Sequence, residues 1–394
     1  MFSNRFDWQA ATNNLSLVLD QKRAMGRMVC DLTMSNPTRA GFAYDAGAIL
    51  AALSQPDGMI YEPAPQGLAC ARVAVADYYR LLVGDIDPGR IFLTASTSEA
   101  YGMLAKMLGD PGDEVLIPRP GYPLLSHLMR FEGLRPIAYP LRYHDVLGWH
   151  FDLEVLSALI TPRTRAVVVV NPNNPTGSYI KNVELRALDA LCCRYELALI
   201  VDEVFADFSA GEASGDDRVM TAVQRTQSLC FVLNGFSKLV GLPQVKLGWI
   251  AVSGESGKAD AAGGGLSTLL DFYLSVSAPV QHAAARLLAL RQPIQDQIQS
   301  RLARNCRFLR EQVVHAANFS LLRREGGWYA IVDIVDAWRD EARAVHLLNN
   351  ADTLVHPGIF YDFSREGYVV LSLLPEPAFF EPGVRHLVSA FAGT

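Results

Sequence analysis

Four short polar stretches carry the residues whose types could do chemistry, and each follows directly on an apolar run of strand length. Ile91 to Thr94 leads into Ala95-Ser96-Thr97-Ser98-Glu99, and Ala166 to Val170 leads into Asn171-Pro172-Asn173-Asn174-Pro175-Thr176-Gly177. Ala198 to Val201 ends in Asp202-Glu203, and Ser228 to Leu233 ends in Asn234-Gly235-Phe236-Ser237-Lys238. Each stretch alone has an ordinary structural reading: a helix N-cap, a tight loop, a cap or metal ligand, a solvated lysine. Taken jointly they describe something more specific. A serine-threonine turn opening a helix aims backbone N–H groups and the helix dipole at a phosphate. An asparagine amide, a carboxylate and an amine that can attack a carbonyl complete a site for a phosphorylated, ring-bearing, carbonyl-reactive ligand.

Other motifs with comparable chemistry fail on inspection. Gly257-Lys258 is followed by Ala259, not Ser or Thr, and has no glycine at the upstream position of an NTPase phosphate loop. Gly235-Phe236-Ser237-Lys238-Leu239 lacks the closing glycine of a nucleophile elbow. No G-x-G-x-x-G follows the first strand, and the histidines show no ligand spacing, so they read as structural or surface residues.

Elements of a particular kind must hold such a site. From about residue 90 to 252, short β-branched runs alternate with helical stretches, which predicts a parallel sheet of βα units. The strands expected are Ile91–Thr94, Glu114–Ile117, Ala166–Val170, Ala198–Val201, Ser228–Leu233 and Leu247–Val252. Several are apolar throughout, as strands covered on both faces are. In such a sheet ligands sit beyond the carboxyl ends of the strands, where the four polar stretches fall. Helices are expected over Ser98–Leu108 and Asn182–Arg194, with one long helix from Val280 through Arg310. Strand-like Trp328–Ile334 and Tyr368–Leu373 then suggest a second, α+β unit, and Gly263–Gly265 reads as a flexible turn. The fold class expected is α/β, a mostly parallel sheet with helices on both faces, plus a smaller α+β domain. The expected division is 49–280 for the large domain, with 1–48 and 281–394 forming the small one.

Composition bounds the rest. The chain has 394 residues, half of them apolar, with 35 basic against 41 acidic side chains for a net charge of −6. That excludes a disordered or fibrous protein, and without a basic run there is no electrostatic footprint for nucleic acid or an anionic membrane surface. Residues 1–10 carry Arg5 and Asp7 and have no apolar stretch of signal-peptide type, and no apolar run reaches the ~18 residues of a membrane span. Six cysteines without C-x-x-C spacing suggest reduced thiols and a cytoplasmic enzyme.

The order Asn-Pro-Asn-Asn-Pro-Thr-Gly at 171–177, then Asp202, then Lys238, resembles the fold-type I pyridoxal-phosphate enzymes, specifically the class I/II aminotransferases related to aspartate aminotransferase. Supporting pieces are Tyr61 with Gly67 and Arg72, Pro118 to Pro123, Gly326-Gly327-Trp328-Tyr329 and His356-Pro357-Gly358. The resemblance implies pyridoxal 5′-phosphate as cofactor, with Lys238 bonding its aldehyde and acting as the base. It implies Asp202 on the pyridine nitrogen, Asn174 on the ring 3′ oxygen, Tyr122 stacked on the ring, and Phe205 beside it. Ser96, Thr97, Ser98, Ser237 and Lys246 would surround the phosphate. Tyr61 would come from the partner subunit, which implies a homodimer with shared sites.

Departures from the family pattern stand at four of these positions. Phe205 replaces the usual tyrosine, Gly235 a phosphate-binding serine, and Lys246 an arginine, whose planar two-pronged hydrogen bond a lysine cannot make. Val370, in Val370-Leu371-Ser372-Leu373, stands where the family carries its substrate-carboxylate arginine. Ser35, Arg39 and Arg365 are therefore the candidates for the substrate end. The resemblance implies an aminotransferase working on an amino acid or amine and a 2-oxo acid. The altered site keeps open a lyase, cyclase or decarboxylase on the same cofactor, and more remotely a non-catalytic sensor of the same fold.

Overall fold

The computed structural model describes residues 1–8, 13–211 and 217–393. Its centre is an eight-stranded sheet in the order Ile91–Thr94, Gly248–Ser253, Cys230–Gly235, Ala198–Asp202, Thr164–Val170, Glu114–Arg119, Arg135–His144, Gly148–Phe151. Six of the strands are buried almost end to end, Arg135–His144 and Gly148–Phe151 at the edge less so, and their side chains alternate between two cores. Leu93, Leu116, Val167, Val169, Leu199, Val201, Val232 and Trp249 face one side. Phe92, Val115, Ala166, Val168, Ile200, Phe231 and Ile250 face the other. Two buried faces explain why these runs are apolar throughout instead of alternating.

Helix Ala69–Val83 closes the first face, where the Trp249 indole donates to the Tyr79 hydroxyl at 3.0 Å. Helices Thr97–Leu108 and Ser256–Asp271 close the second. The sheet is mostly parallel as expected, but the edge strand Gly148–Phe151 runs antiparallel to Arg135–His144, and one strand inside the sheet is reversed as well. Gly248–Ser253 runs antiparallel to both neighbours, Ile91–Thr94 and Cys230–Gly235. Only the one-turn helix Phe236–Leu239 and a 3-10 turn join it to the preceding strand, so the chain returns from the end at which it left.

Two further expectations are corrected. Gly263–Gly265 is no turn but the middle of helix Ser256–Asp271. The glycines let that helix lie close: a Cβ on Gly263 would come within 3.3 Å of the Phe92 ring, and one on Gly265 within 3.3 Å of the Met107 sulfur. The single long helix is two, Ala278–Ala289 and Arg291–Val313. Pro293 has no N–H to offer the Ala289 carbonyl, so one continuous helix would lose its hydrogen bond at the joint.

A four-stranded antiparallel sheet, Phe319–Leu321, Tyr329–Ile334, Tyr368–Ser372 and His356–Pro357, forms the second unit. The N-terminal chain packs on it. Cys30–Asp31 pairs in parallel with Thr353–Leu354, and Lys22 Nζ meets Asp352 Oδ1 at 2.6 Å. The expected cuts at 48/49 and 280/281 fall inside helices Ala46–Leu53 and Ala278–Ala289, which pack on one another.

Candidate active site

In-register pairing sets the rim of the site. Val170, Asp202 and Leu233 are aligned on adjacent parallel strands, so the segments after them leave the sheet at one level. Asp202 is buried. Its carboxylate accepts from the Tyr101 hydroxyl at 3.0 Å and from the Val204 N–H at 3.1 Å. Burial raises its pKa to about 6; the Val204 and Tyr101 hydrogen bonds and the Lys238 charge restrain the rise. Lys238 follows Gly235 in the one-turn helix, and burial pulls its ammonium down to about 8 against the pull of Asp202. Between those two values the pair is ionised. The Lys238 Nζ lies 4.9 Å from the Trp328 ring centre and 5.8 Å from that of Phe205, so its amine sits against aromatic faces with little access to water.

The loop 171–177 divides its asparagines between scaffold and site. Asn171 donates to the Val219 carbonyl at 2.7 Å and accepts from the Ile180 N–H at 3.0 Å. Asn173 Oδ1 accepts from the Thr176 hydroxyl at 3.0 Å, and the Asn173 carbonyl accepts from the Gly177 N–H at 2.7 Å. Gly177 has a φ of +69°, and a Cβ there would strike the Gly326 carbonyl oxygen, so this position requires glycine. Asn174 differs from the other two. Its Oδ1 is buried and has no hydrogen-bond partner, a state that costs ~1–3 kcal/mol unless something binds against it.

The turn at Ser96 opens helix Thr97–Leu108. Ser96 Oγ accepts from the Glu99 N–H at 3.1 Å, and Glu99 Oε2 accepts from the Ala95 N–H at 2.6 Å, so Ser96 is the cap. Thr97 and Ser98, in the first turn, have no intrahelical acceptor for their amides. Gly248 lies against this turn: a Cβ on it would come within 2.9 Å of Ser96 C and 3.1 Å of Thr97 N. Gly235 in turn lies against Gly248, where a Cβ would meet Leu247 O at 2.8 Å and Gly248 Cα at 2.9 Å. The serine that the resemblance leads one to expect at Gly235 therefore has no room. Lys246 is exposed two residues before Gly248, and Ser237 adjoins Lys238 in the one-turn helix.

Residues 43–368 match the profile of the family described as aminotransferase class I and II. The chain belongs to that family. The alanine aminotransferase of Mycobacterium tuberculosis (strain ATCC 25618 / H37Rv) is 30% identical over 365 residues, covering 89% of this chain and 83% of the relative. The glutamate-pyruvate aminotransferase AlaA of Escherichia coli K12 is 28% identical over 273 residues, 69% of this chain and 66% of that one. Among solved structures, an alanine aminotransferase from Pyrococcus furiosus superposes with a TM-score of 0.89 at 24% identity, covering 99% of each chain. A Thermus thermophilus aspartate aminotransferase mutant does so at 0.83 and 22%, again over 99% of each.

As an aminotransferase the chain is an enzyme that transfers amino groups, in a family that works with pyridoxal 5′-phosphate. Its residues fit that group. The unpartnered Asn174 oxygen, the glycine cradle at Gly248 and the Lys238 and Asp202 pair stand on one rim, as a ring with a phosphate arm requires.

The aminotransferase site also contains Trp328 and Tyr101, to which sequence reasoning assigned no role. Trp328 and Phe205 meet edge to face with centroids 5.4 Å apart and flank Lys238. Tyr101 anchors Asp202 from the helix that the phosphate turn opens, and nothing in its spacing marks it. Tyr329 is hydrogen-bonded to Ser35, which brings that candidate to the site wall. Tyr122 is half-buried, its phenol pushed up to about 12 by burial and then by the Asp202 charge. Arg39 is exposed at the end of the 3-10 turn Pro37–Arg39. Tyr61 is exposed at 75%.

Arg365 is corrected. It is ion-paired to Asp333 and lies over the Tyr368 ring at 4.2 Å. Asp333 pairs with Tyr368 at one end of a strand pair whose other end is Tyr329 with Ser372. Four residues of strand, ~13 Å, thus lie between Arg365 and the site wall. Val370 is fully buried between Ile331 and His356 and offers no polar atom there. His356 bonds the Tyr361 hydroxyl at 2.9 Å and is pushed down to about 4 by burial, so it supplies no positive charge at neutral pH.

Proposed function

We propose that this aminotransferase binds pyridoxal 5′-phosphate between the Ser96–Ser98 turn and Asp202 and moves an amino group between an amino acid or amine and a 2-oxo acid in two half-reactions. The observation that carries the reading is the convergence of Lys238, buried Asp202 and the unpartnered Asn174 amide on one rim. Bound there, the group supplies an electron sink for charge developing on the substrate carbon. The Thr97 and Ser98 amides, the dipole of their helix, and the Ser96, Ser98, Ser237 and Lys246 side chains hold the phosphate. Asp202 holds a proton on the ring nitrogen, and Tyr101 and Val204 keep that carboxylate ionised. The Asn174 side-chain N–H would donate to the ring 3′ oxygen, the more so because Phe205 brings no hydroxyl to it. Tyr122 covers the ring face. Lys238, with its pKa brought near neutrality, would take and hold the proton from the substrate carbon.

Exposed Tyr61 fits a role in the site of a second copy, so the working form is a homodimer. It is held by a fold in which Arg72 grips the Gly67 carbonyl at 3.0 Å and the Pro88 carbonyl at 2.9 Å. The sheet-bearing unit binds the cofactor, and a unit built from both chain ends closes on it. No helix among the described residues is long and apolar enough to cross a membrane. Free cysteines fit an enzyme of the reducing cytoplasm.

The relatives named for alanine and for glutamate with pyruvate make these the first donors and acceptor to test. Ser35 and Arg39 take the substrate end in place of the family's arginine. A second reading, elimination or cyclisation on the same cofactor, is favoured by one observation: buried Val370 leaves no fixed cation at that strand position. The test is a donor screen on cofactor-loaded protein, comparing alanine and glutamate with ω-amines and decarboxylated amines. Loss of the cofactor's visible band together with one keto or aldehyde product per site supports transamination. Release of ammonia or a cyclised product with the band restored supports the second reading.

A further inference from the structure

Cross-strand pairing puts Tyr329, Ile331, Val370 and His356 on one face of the four-stranded sheet. Tyr329 stands opposite Ser372, and Val370 stands opposite both Ile331 and His356. This face begins at the Lys238 site. The Tyr329 ring lies 6.3 Å from the Phe205 ring, which flanks the amine, and 6.3 Å from the Tyr361 ring. Tyr361 in turn shares a 2.9 Å hydrogen bond with His356. A continuous row of side chains therefore runs from the reacting amine to the strand position that Val370 occupies.

Among the described residues, the polar groups along this row are uncharged. Burial raises the pKa of the Tyr329 and Tyr361 phenols above the ordinary value, and the imidazole of His356 is neutral at pH 7. Ser35, hydrogen-bonded to Tyr329, adds a third hydroxyl. The charge felt at His356 is that of the Asp31 carboxylate, which has the wrong sign to attract an anion. Arg39 is exposed, where water and salt screen its charge.

We infer that the Tyr329 and Tyr361 hydroxyls receive the substrate group that the family's arginine would meet, by hydrogen bonds without charge, so that a carboxamide is bound about as well as a carboxylate. The inference rests on the aminotransferase reading above and specifies its substrate end. Ser35 and His356 are positioning residues. When His356 Nδ1 carries hydrogen and donates to the Tyr361 oxygen, a tautomer open to a neutral imidazole, the Tyr361 proton is free to point at the substrate. A guanidinium would favour a carboxylate strongly, because it adds charge to two parallel hydrogen bonds. A phenol donates to a carboxylate oxygen and to an amide oxygen alike, and the stronger bond to the carboxylate is offset by the greater cost of desolvating it.

The test is a single-turnover half-reaction of cofactor-loaded protein with L-alanine, L-alaninamide or isopropylamine. The dissociation constant of each is read from the saturation of the rate at which the visible band decays, or, for a donor that gives no product, from its competition with alanine. Alanine and alaninamide should bind within about tenfold of one another, and isopropylamine, which has no acceptor, more weakly than either. Tyr329→Phe and Tyr361→Phe should each weaken the first two roughly two- to tenfold, the worth of one hydrogen bond, and leave isopropylamine unchanged. A merely structural role would move all three together. A preference for alanine over alaninamide of a hundredfold or more overturns the inference, and its loss in Arg39→Ala would give the task to Arg39. An equal change for all three donors, or none for any, in both phenylalanine variants also overturns it. Failure of every donor to discharge the band, with alanine and glutamate included, would instead refute the transamination reading, and this inference with it.

Discussion

The Tyr101 hydroxyl is the support of Asp202 most easily removed without disturbing the fold. Tyr101→Phe keeps the buried ring and deletes only the O–H that donates to Asp202 Oδ2 at 3.0 Å. The Val204 N–H remains on the other oxygen. A hydrogen bond to a charged group is worth ~1.5–3 kcal/mol, and one pKa unit is about 1.36 kcal/mol, so the Asp202 carboxyl should rise by roughly one to two units. It starts at about 6 in the cofactor-free protein, so the variant carries a substantially protonated Asp202 at pH 7. A protonated carboxyl cannot hold a proton on the ring nitrogen. Cofactor affinity at pH 7 should therefore fall roughly two- to tenfold, and the loss should shrink by pH 9, where the carboxyl is largely ionised in both proteins. Equilibrium dialysis of cofactor against pH, with an NMR titration of Asp202 in the cofactor-free protein, measures both quantities. Unchanged affinity at pH 7, or a loss equally large at pH 9, would refute the role given to this hydrogen bond.

Lys238 gives a second pH dependence. Its neutral form rises about tenfold per unit below its pKa of about 8, so the rate of cofactor uptake should climb between pH 6.5 and 7.5 and level off above 8. Because its folded pKa lies below its unfolded value, the charged amine opposes folding below pH 8. Cofactor-free Lys238→Met should accordingly be more stable than wild type at pH 7 by chemical denaturation, with the gain fading by pH 10. A flat uptake profile would contradict the assignment. Gly235→Ser, which restores the family's residue, should cost roughly 1–3 kcal/mol of stability, since its Cβ meets backbone at 2.8 and 2.9 Å. An equally stable variant with tighter cofactor binding would show that the strand can yield. Finally, Tyr61→Ala and Lys238→Ala proteins, each inactive alone, should recover partial activity when unfolded together and refolded. No recovery, with mixed dimers present, would rule out a shared site.

The sheet was legible because strands buried on both faces announce themselves as unbroken apolar runs, and the polar segments after them marked the rim. Strand direction was not: Gly248–Ser253 is as apolar as the parallel strands of the sheet, and only the short connection through Lys238 reverses it. Gly263–Gly265 looked like a break because glycine is a poor helix former, yet close packing on Phe92 and Met107 outweighs that preference. Within the site, Asp202, Asn174 and Lys238 were readable from type and order. Tyr101 and Trp328 were not given roles, since their partners lie 101 and 90 positions away along the chain and no local spacing encodes such contacts. Arg365 was misjudged for the opposite reason. It is near Val370 in sequence, but an extended strand turns nearness along the chain into distance in space. The departure at Gly235 became intelligible only with Gly248 beside it.

The central claim is that Lys238 is the residue that bonds the cofactor. Reducing the cofactor-loaded protein with borohydride, digesting it and locating the added phosphopyridoxyl mass by tandem mass spectrometry tests it directly. The account predicts one modified site, Lys238, with none in Lys238→Ala; the mass on Lys246 or another lysine, or on no residue at all, would contradict it.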